Sequence, residues 1–299
     1  MAPKISLITP CLNSEATIER TLVSIKRQNY PALEYIVYDG ASKDGTVDIL
    51  RRYEAVGLVT TLVSEPDKSP GDAINKGFAR ATGDIYCYLN ADDAFEDGAL
   101  EYVAEFFAAN PDIDVLTGGC RRVFADSSET ITAPPEDFLS TVALRNYFEQ
   151  PSTFWRAEAH KRAGVFDESY KLAFDWEWWN RLNRSGAKFA RTDKVFSVYY
   201  FSADNLTSTA GQRVIDEMYR VTKTYAPKNG EIADVYKMLF DVFDMNGFYD
   251  KPFAELPPQR QVVLGAALAA LYAIYGREAI NAYNWNWASK QIRGITWYK

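Results

Sequence analysis

Strand-like and helix-like segments alternate through the first 120 residues, and this alternation limits the fold more than any other feature of the sequence. Short apolar runs predict five strands, at 4–9, 34–39, 59–64, 85–90 and 115–120. Helical periodicity predicts four helices between them, at 16–28, 46–53, 71–81 and 99–109. Repeated strand–helix pairs with short connections are typical of an α/β protein, with a mainly parallel sheet flanked by helices on both faces.

The pattern loosens in the second half of the chain. We predict a strand at 151–156, helices at 158–163 and 176–184, and a returning strand at 188–201. From Gln212 onward the pattern is helical, with interruptions at Pro227 and at 257–258. The sequence therefore predicts an α/β domain over residues 1–210 and a C-terminal helical appendage over 211–299.

Charge and cysteine content exclude several classes of protein. The 33 Lys and Arg residues against 40 Asp and Glu residues give a net charge of −7, which argues against a nucleic-acid partner. Three cysteines and one histidine are too few for a disulfide scaffold or a histidine-rich zinc site. The N-terminal apolar run, 5–8, is too short for a signal peptide, and the weakly polar stretch 262–275 is too short to span a bilayer. We therefore expect a cytoplasmic protein.

Polar side chains follow four successive predicted strands, where ligands bind in open parallel sheets. For each loop alone, the ordinary polarity of loops explains these residues equally well. Leu89–Asp93 is the sharpest signal, because an apolar strand ends in two carboxylates, and oxygen ligands suit Mg²⁺ and Mn²⁺. A helix cap is the alternative role for an Asp here, and Glu96 or Asp97 suits it better. Neither a Walker A sequence nor a GxGxxG turn is present.

Ordered motifs extend beyond these strand ends. They are ITPCLN at 8–13, TLVSI at 21–25 with Gln28, EYIVYDGASKDGT at 34–46, SEPD at 64–67, DAINKG at 72–77, ATGD at 81–84, LNADD at 89–93, GVFDESY at 164–170 and DWEWWNRL at 175–182. On these motifs, residues 4–205 resemble the family 2 glycosyltransferases. The resemblance implies a GT-A fold with a Rossmann-like nucleotide-sugar half at 1–120 and an acceptor half at 121–210.

The resemblance also implies an activity. It is inverting transfer of a sugar from a UDP- or GDP-linked donor to a hydroxyl group of a saccharide or lipid-linked saccharide, in bacterial surface polysaccharide synthesis. A divalent cation, Mn²⁺ or Mg²⁺, would assist. Matching positions imply nucleobase contacts by Thr9 and Asp39, base or ribose contacts by Asn13 and Glu15, donor binding by Asp67, Lys76, Asn90 and Asp93, metal and diphosphate binding by Asp92, and base catalysis by Asp175.

The chemistry of sugar transfer agrees with a carboxylate at position 175. An acceptor hydroxyl is a poor nucleophile until a base takes its proton, and inversion needs one such base. Phe174 and Trp176 flank Asp175, and an apolar wall would raise the pKa of its carboxyl. Two alternatives stay open: Asp175 is a helix N-cap, or Glu177 is the base.

Two departures from the family pattern concern the metal. Asn90 stands at the first position of the DxD motif, and an amide carries no charge. The late histidine that many members carry is absent, and Asp204 is the residue that could replace it. A catalytically weak or inactive sugar-nucleotide binding module is therefore the alternative function. A nucleotidyltransferase is disfavoured, because the first strand lacks a following glycine-rich turn. We expect the single histidine, His160, to face solvent without a role.

Aromatic residues leave further alternatives. Trp176, Trp178 and Trp179 either pack in the core, which we favour, or stack on an acceptor sugar. The C-terminal aromatics either pack against the catalytic domain, form a homo-oligomer interface or contact the inner face of the cell membrane. They are Tyr272, Tyr275, Tyr283, Trp285, Trp287 and Trp297, with Lys290, Arg293 and Lys299 among them.

Overall fold

The computed structural model describes residues 2–140, 142–144, 146–201, 212–226, 230–231, 233–234 and 257–275. The chain divides into two compact units, Met1–Glu136 with Tyr147–Asn205, and Asp137–Asn146 with Leu206–Lys299. The domain boundary after residue 210 stays a prediction. Asp204 and the aromatics beyond residue 275 lie outside the described residues.

The first unit is an α/β structure built on one sheet. Its strands are β1 (Ile5–Cys11), β2 (Leu33–Asp39), β3 (Thr61–Ser64), β4 (Ile85–Tyr88), β5 (Ala94–Phe95), β6 (Val115–Val123), β7 (Glu129–Thr132), β8 (Thr153–Arg156) and β9 (Phe189–Tyr200). Its helices are α1 (Ile18–Arg27), α2 (Thr46–Ala55), α3 (Pro70–Phe78), α4 (Ala99–Ala109), α5 (Ala157–Ala163) and α6 (Phe174–Arg184). A 3₁₀ turn, Gln150–Ser152, precedes β8.

Strand order explains where the site lies. The order is β3-β2-β1-β4-β8-β6-β9-β5, with β7 paired to β6. Strands β3, β2, β1 and β4 are mutually parallel, as predicted, and their carboxyl ends share one edge. Asp39 is in register with Cys11, and Tyr88 with Ile8.

The predicted fifth strand, β6, is present but does not pair with β4. Antiparallel β8 lies between them, with Ile85 opposite Arg156 and Val115 opposite Trp155. The sheet is therefore mixed beyond β4. Local periodicity predicts that a strand exists but not which distant strand occupies the neighbouring place.

Helices cover both faces of the parallel half. Leu7 belongs to an apolar core that includes Leu22 of α1 and Val103 of α4. Ile8 points to the other face, where α3 packs closely. A Cβ on Gly77 would lie 2.5 Å from the Ile8 side chain, so glycine permits the contact between α3 and β1.

His160 lies in an aromatic cluster rather than in solvent, so the sequence expectation for this residue is wrong. Its ring is 4.9 Å from that of Phe78 and 5.4 Å from that of Trp178, and Trp155 Nε1 donates to its Nδ1 at 3.4 Å. Burial, with a smaller contribution from Arg181, lowers the pKa of His160 to about 4. Glu158, Lys161 and Arg162 make α5 look polar, but the rings around His160 come from other elements.

Trp176, Trp178 and Trp179 are each at most 1% exposed, which confirms the favoured core-packing interpretation. The ring of Trp178 is 4.8 Å from that of Trp155. Indoles so deeply buried have no free face for an acceptor sugar in this structure.

In the second unit, the longer described stretches are helical, as predicted: α7 (Gln212–Tyr225) and α8 (Pro258–Tyr275). Lys223 of α7 forms an ion pair with Asp234. Among the residues that the structure describes, no helix combines the length and the apolar character that crossing a membrane requires.

Candidate active site

Asp39 organises the loop that follows β2. Its side chain is fully buried and accepts hydrogen bonds from Ser42 N at 3.0 Å, from Ser64 Oγ at 2.6 Å and from Ser42 Oγ. Thr9 of β1 is also fully buried, and its Oγ1 accepts from Tyr35 at 3.1 Å. Both side chains lie at the predicted edge but inside the protein, so their nucleobase contacts stay predictions.

Asn13 and Glu15 join the loops after β1 and β2. Asn13 has a φ of 49°, a left-handed conformation that Asn tolerates better than most residues. Its Oδ1 accepts from Lys43 N at 2.8 Å, and Glu15 Oε2 accepts from Gly45 N at 2.9 Å. These hydrogen bonds make one rigid rim from two loops.

Asp67 and Lys76 extend this rim to the loop after β3 and to α3. A Cβ on Gly40 would lie 2.5 Å from Asp67 Oδ2, so a larger residue there would displace the Asp67 carboxylate. Lys76 Nζ lies 3.2 Å from Asp72 Oδ2 and donates to Pro66 O at 3.2 Å. Burial, followed by the charges of Asp72 and Asp39, raises the pKa of Asp67.

Asn90 is fixed by a residue that sequence reasoning missed. Its Nδ2 donates to Gln150 Oε1 at 3.1 Å and to Asp93 Oδ2 at 3.4 Å, while Gln150 Nε2 donates to Tyr88 O at 2.7 Å. The only signal for Gln150 is its place just before the strand predicted at 151–156. The Asn90 Oδ1 atom accepts no hydrogen bond from any residue that the structure describes.

Asp92 and Asp93 form an acidic pair that makes no ion pair with the described residues, although the charge of Arg20 partly offsets theirs. Burial raises the pKa of Asp92, and burial followed by the charge of Asp92 raises that of fully buried Asp93 well above its usual value. Asp93 Oδ1 has no hydrogen-bond partner in the described part of the chain. Neither expected helix cap is used, since α4 begins after Gly98, without a side-chain cap.

These oxygens fit a divalent cation. Mg²⁺ and Mn²⁺ bind through one or two carboxylates together with phosphate and water oxygens. Asp92, Asp93 and the amide oxygen of Asn90 supply that type of ligand. The described residues hold no group of three or more His, Cys, Asp or Glu side chains placed to bind a metal, so further ligands would come from the donor and water.

Asp175 is not the N-cap of α6, which is Ala173. Asp175 Oδ1 accepts from the Trp176 N–H at 2.7 Å, in the first turn of the helix. The rival base, Glu177, is buried and bound on both oxygens by Arg181, at 3.1 and 2.8 Å. Arg181 therefore occupies both oxygens of Glu177, which favours Asp175 of the two.

Tyr88, the last residue of β4, lies close to both Asp93 and Asp175. Burial, then the charge of Asp175, then that of Asp93, raise the pKa of Tyr88 well above its usual value. Its ring lies 6.3 Å from that of Phe174, next to Asp175. Asp39 ends β2, two strands from β4, which corresponds to about 10 Å across the sheet.

A cavity of about 470 Å³ lies between α1, residues 94–97 and the end of β9. None of the ten residues predicted for the site lines it. The predicted residues instead lie at the carboxyl edge of the parallel strands and around Tyr88.

Comparison with known proteins identifies the family. A family model described as Glycosyl transferase family 2 matches residues 6–197, so the chain belongs to the family 2 glycosyltransferases. A PGL/p-HBAD biosynthesis glycosyltransferase of Mycobacterium tuberculosis is 30% identical over 211 residues, which are 70% of this chain and 80% of that protein. The resemblance seen in the sequence motifs is thereby confirmed, and the chain is a transferase.

Solved structures show the same fold. Mannosyltransferase PcManGT from Pyrobaculum calidifontis, in complex with GDP-Man and Mn²⁺, aligns with a TM-score of 0.61 and 19% identity over 99% of this chain and 88% of that one. S. aureus TarS 1-349, in complex with UDP-GlcNAc, aligns with a TM-score of 0.60 and 18% identity over 97% and 88%. These alignments confirm the predicted GT-A fold.

Proposed function

We propose that this protein is an inverting glycosyltransferase that moves a sugar from a UDP- or GDP-linked donor to a hydroxyl group. The acceptor is a saccharide or lipid-linked saccharide of a bacterial surface glycan. The observation that carries the proposal is the position of Tyr88, which ends β4 just before the acidic pair and whose ring lies 6.3 Å from that of Phe174, next to Asp175. Leaving-group binding and proton removal need this proximity, because both act on one anomeric carbon.

The rim of the parallel half binds the nucleotide. Asn13 and Glu15 keep the first two loops in one conformation, and Asp39 fixes the second loop from inside. Asp67 and Lys76 offer a carboxylate and an ammonium group to the donor. A rim that is already ordered loses little conformational entropy on binding.

Asp92 and Asp93, with the amide oxygen of Asn90, hold the divalent cation, Mn²⁺ or Mg²⁺. When bound, this ion stabilises the negative charge of the departing diphosphate. Without a cation, the negative charge of two ionised carboxylates would repel the diphosphate of the donor. Asn90 lowers the negative charge of the site, so we expect weaker metal binding than an Asp at this position would give.

Asp175 accepts the proton of the acceptor hydroxyl as that oxygen attacks the anomeric carbon. The new bond joins the acceptor oxygen to this carbon, and the bond to the diphosphate oxygen breaks on the opposite face. Inversion follows from a single displacement.

The test is release of nucleoside diphosphate from a panel of UDP- and GDP-sugars, with Mn²⁺ and candidate acceptors. Both nucleotides belong in the panel, because the aligned structures hold GDP-Man and UDP-GlcNAc. We expect Asp175→Asn to lower kcat at least about 100-fold, the usual scale of base catalysis. Asp112→Asn, at an exposed aspartate, is the matched control and should be unaffected.

Three results would contradict the proposal. Turnover near wild type in Asp175→Asn would show that Asp175 is not the base. Retention of the anomeric configuration, measured by NMR, would rule out an inverting mechanism. Donor binding without turnover of any sugar would favour a sugar-nucleotide binding module, the alternative that Asn90 suggests. The roles of the C-terminal aromatics in self-association or membrane contact stay predictions.

A further inference from the structure

One face of α1 is hydrogen bonded to the main chain that carries the acidic pair. Its bonds join Arg20 Nη2 to Asp92 O at 2.8 Å, Thr21 Oγ1 to Asp93 O at 2.6 Å, Phe95 N to Ser24 Oγ at 3.1 Å, Gln28 Nε2 to Glu96 O at 2.9 Å and Leu100 N to Gln28 Oε1 at 3.2 Å. Each bond joins a peptide group to a side chain of α1 or of Gln28, which directly follows it. These bonds therefore fix the path of the main chain, while the charge of Arg20 also acts on the carboxylates of Asp92 and Asp93.

The spacing of the two elements explains why the bonds continue in register. From Thr21 to Gln28 an α-helix rises about 11 Å. An extended chain covers about 10 Å from Asp93, which follows a turn, to Glu96, which follows β5. One polar side chain per helical turn thus meets the adjacent segment over its whole length.

Strand β9 holds the other side of the same segment. Ala94 pairs with Val198, and Glu96 N donates to Phe196 O at 2.8 Å. The Arg20 guanidinium also contacts β9, because its central carbon lies 3.5 Å from the centre of the Tyr200 ring. Arg20 therefore contacts both the acidic pair's main chain and the last residue of β9.

We propose that Arg20 is a positioning residue that fixes the Asp92–Asp93 peptides for metal and diphosphate binding. Thr21, Ser24 and Gln28 are buried and belong to the structure of the core, whereas Arg20 is exposed. Its hydrogen bond therefore serves the loop more than the fold. The inference rests on the proposed function only in what the loop binds.

The test compares Arg20→Met with Arg20→Lys and with Arg27→Met. Met retains the apolar stem, and Lys retains the charge. Arg20 and Arg27 both line the cavity between α1 and the end of β9, but Arg27 does not contact the acidic pair. In metal-free protein, hydrogen exchange of peptides spanning 89–96 should be about tenfold faster in Arg20→Met. Arg27→Met should match wild type, and Arg20→Lys should fall between.

With Mn²⁺ and donor, Arg20→Met should raise the Mn²⁺ concentration for half-maximal rate by about tenfold and lower kcat less. Tyr200→Leu removes the ring but leaves the hydrogen bond. It should therefore change the Mn²⁺ concentration for half-maximal rate and kcat less than Arg20→Met does. Exchange at 89–96 equal to wild type in Arg20→Met would overturn the inference, whatever the activity. Faster exchange in a protein that transfers no sugar would support it and contradict the proposed function instead.

Discussion

His160 is the chain's single histidine, and its burial makes it a pH-sensitive residue of the core. Its pKa is about 4 in the folded protein against an ordinary value of 6.5. Between these values the unfolded chain binds a proton that the native state does not, so stability falls as pH falls from 6.5 toward 4. Stability from this residue is complete above pH 6.5.

We predict that this residue alone lowers the free energy of unfolding by about 2 kcal/mol between pH 7 and pH 5. Urea unfolding at both pH values measures the change, and His160→Gln, which does not titrate, is the comparison. The variant should lose about 2 kcal/mol less than wild type over that interval. Equal losses would show that His160 is accessible to protons in the folded state.

Asp39 combines a predicted contact with the nucleobase and an observed role in its own loop. Replacing it by Asn puts an amide group where four donors now converge, two on each carboxylate oxygen, so the amide nitrogen faces two groups that donate to Asp39. We predict that Asp39→Asn costs about 1–3 kcal/mol in urea unfolding and weakens UDP or GDP binding in calorimetry. Ser64→Ala, which removes one of the donors, should cost about 1 kcal/mol. Unchanged stability of Asp39→Asn would contradict the loop role.

The residues that sequence reasoning found are those of local motifs. Asn13, Asp39 and Asp92 follow strands whose pattern is visible in a few neighbouring residues. Gln150 and the burial of His160 depend on β8, which arrives from more than 60 positions away to pair with β4. Hydrogen bonds between distant segments have no period in the sequence, so no pattern could reveal them.

At the scale of elements, α3 links the rim formed by the loops after β1, β2 and β3 to the segment that leads to Asp175. Ser69 caps it, Pro70 begins it, and Lys76 faces the rim. Asn75, one residue earlier, accepts from Phe166 N and donates to Phe166 O, both at 2.9 Å. One side chain thus replaces a strand neighbour for residue 166.

We predict that Asn75→Ala destabilises the protein by about 2 kcal/mol, because it leaves two peptide groups of Phe166 without a partner. Asn75→Asp keeps the acceptor but places a carboxylate oxygen against Phe166 O and Glu168 Oε1, and should cost at least as much. Arg80→Ala, at the exposed end after the same helix, is the control and should stay within about 0.5 kcal/mol of wild type. Urea unfolding measures all three. An Asn75→Ala variant as stable as the control would show that Phe166 is held by its ring contacts alone.

Element prediction succeeded where elements are regular and failed at their pairing. The first four strands and helices lie close to their predicted positions, since each presents an apolar face of clear period. The strand predicted at 85–90 ends earlier, at Tyr88, because the chain turns to bring Asn90 onto Gln150. At Tyr88 the carbonyl group accepts a hydrogen bond from the Gln150 side chain.

At the scale of the molecule, the residues proposed for donor binding and for catalysis lie in different parts of the first unit. The nucleotide rim and the acidic pair lie at the ends of β1 to β4, whereas Asp175 lies on α6, after the sheet has become mixed. A ligand that binds only the native state raises its stability by mass action. Heat or urea unfolding with donor present therefore reports binding without requiring turnover.

We predict that the correct nucleotide sugar with Mn²⁺, at about 100 times its Kd, stabilises the wild type by about 2.7 kcal/mol. Asp175→Asn should keep this stabilisation while losing turnover, because the base contacts the acceptor rather than the donor. Asp92→Asn should lose the part that depends on Mn²⁺, and Asp112→Asn should behave as wild type. The donor could also stabilise each protein, wild type and Asp92→Asn, to the same extent with Mn²⁺ as with chelator. That result would mean that the acidic pair binds the donor without a metal. Loss of donor stabilisation in Asp175→Asn would place that carboxylate in donor binding and leave the base unassigned.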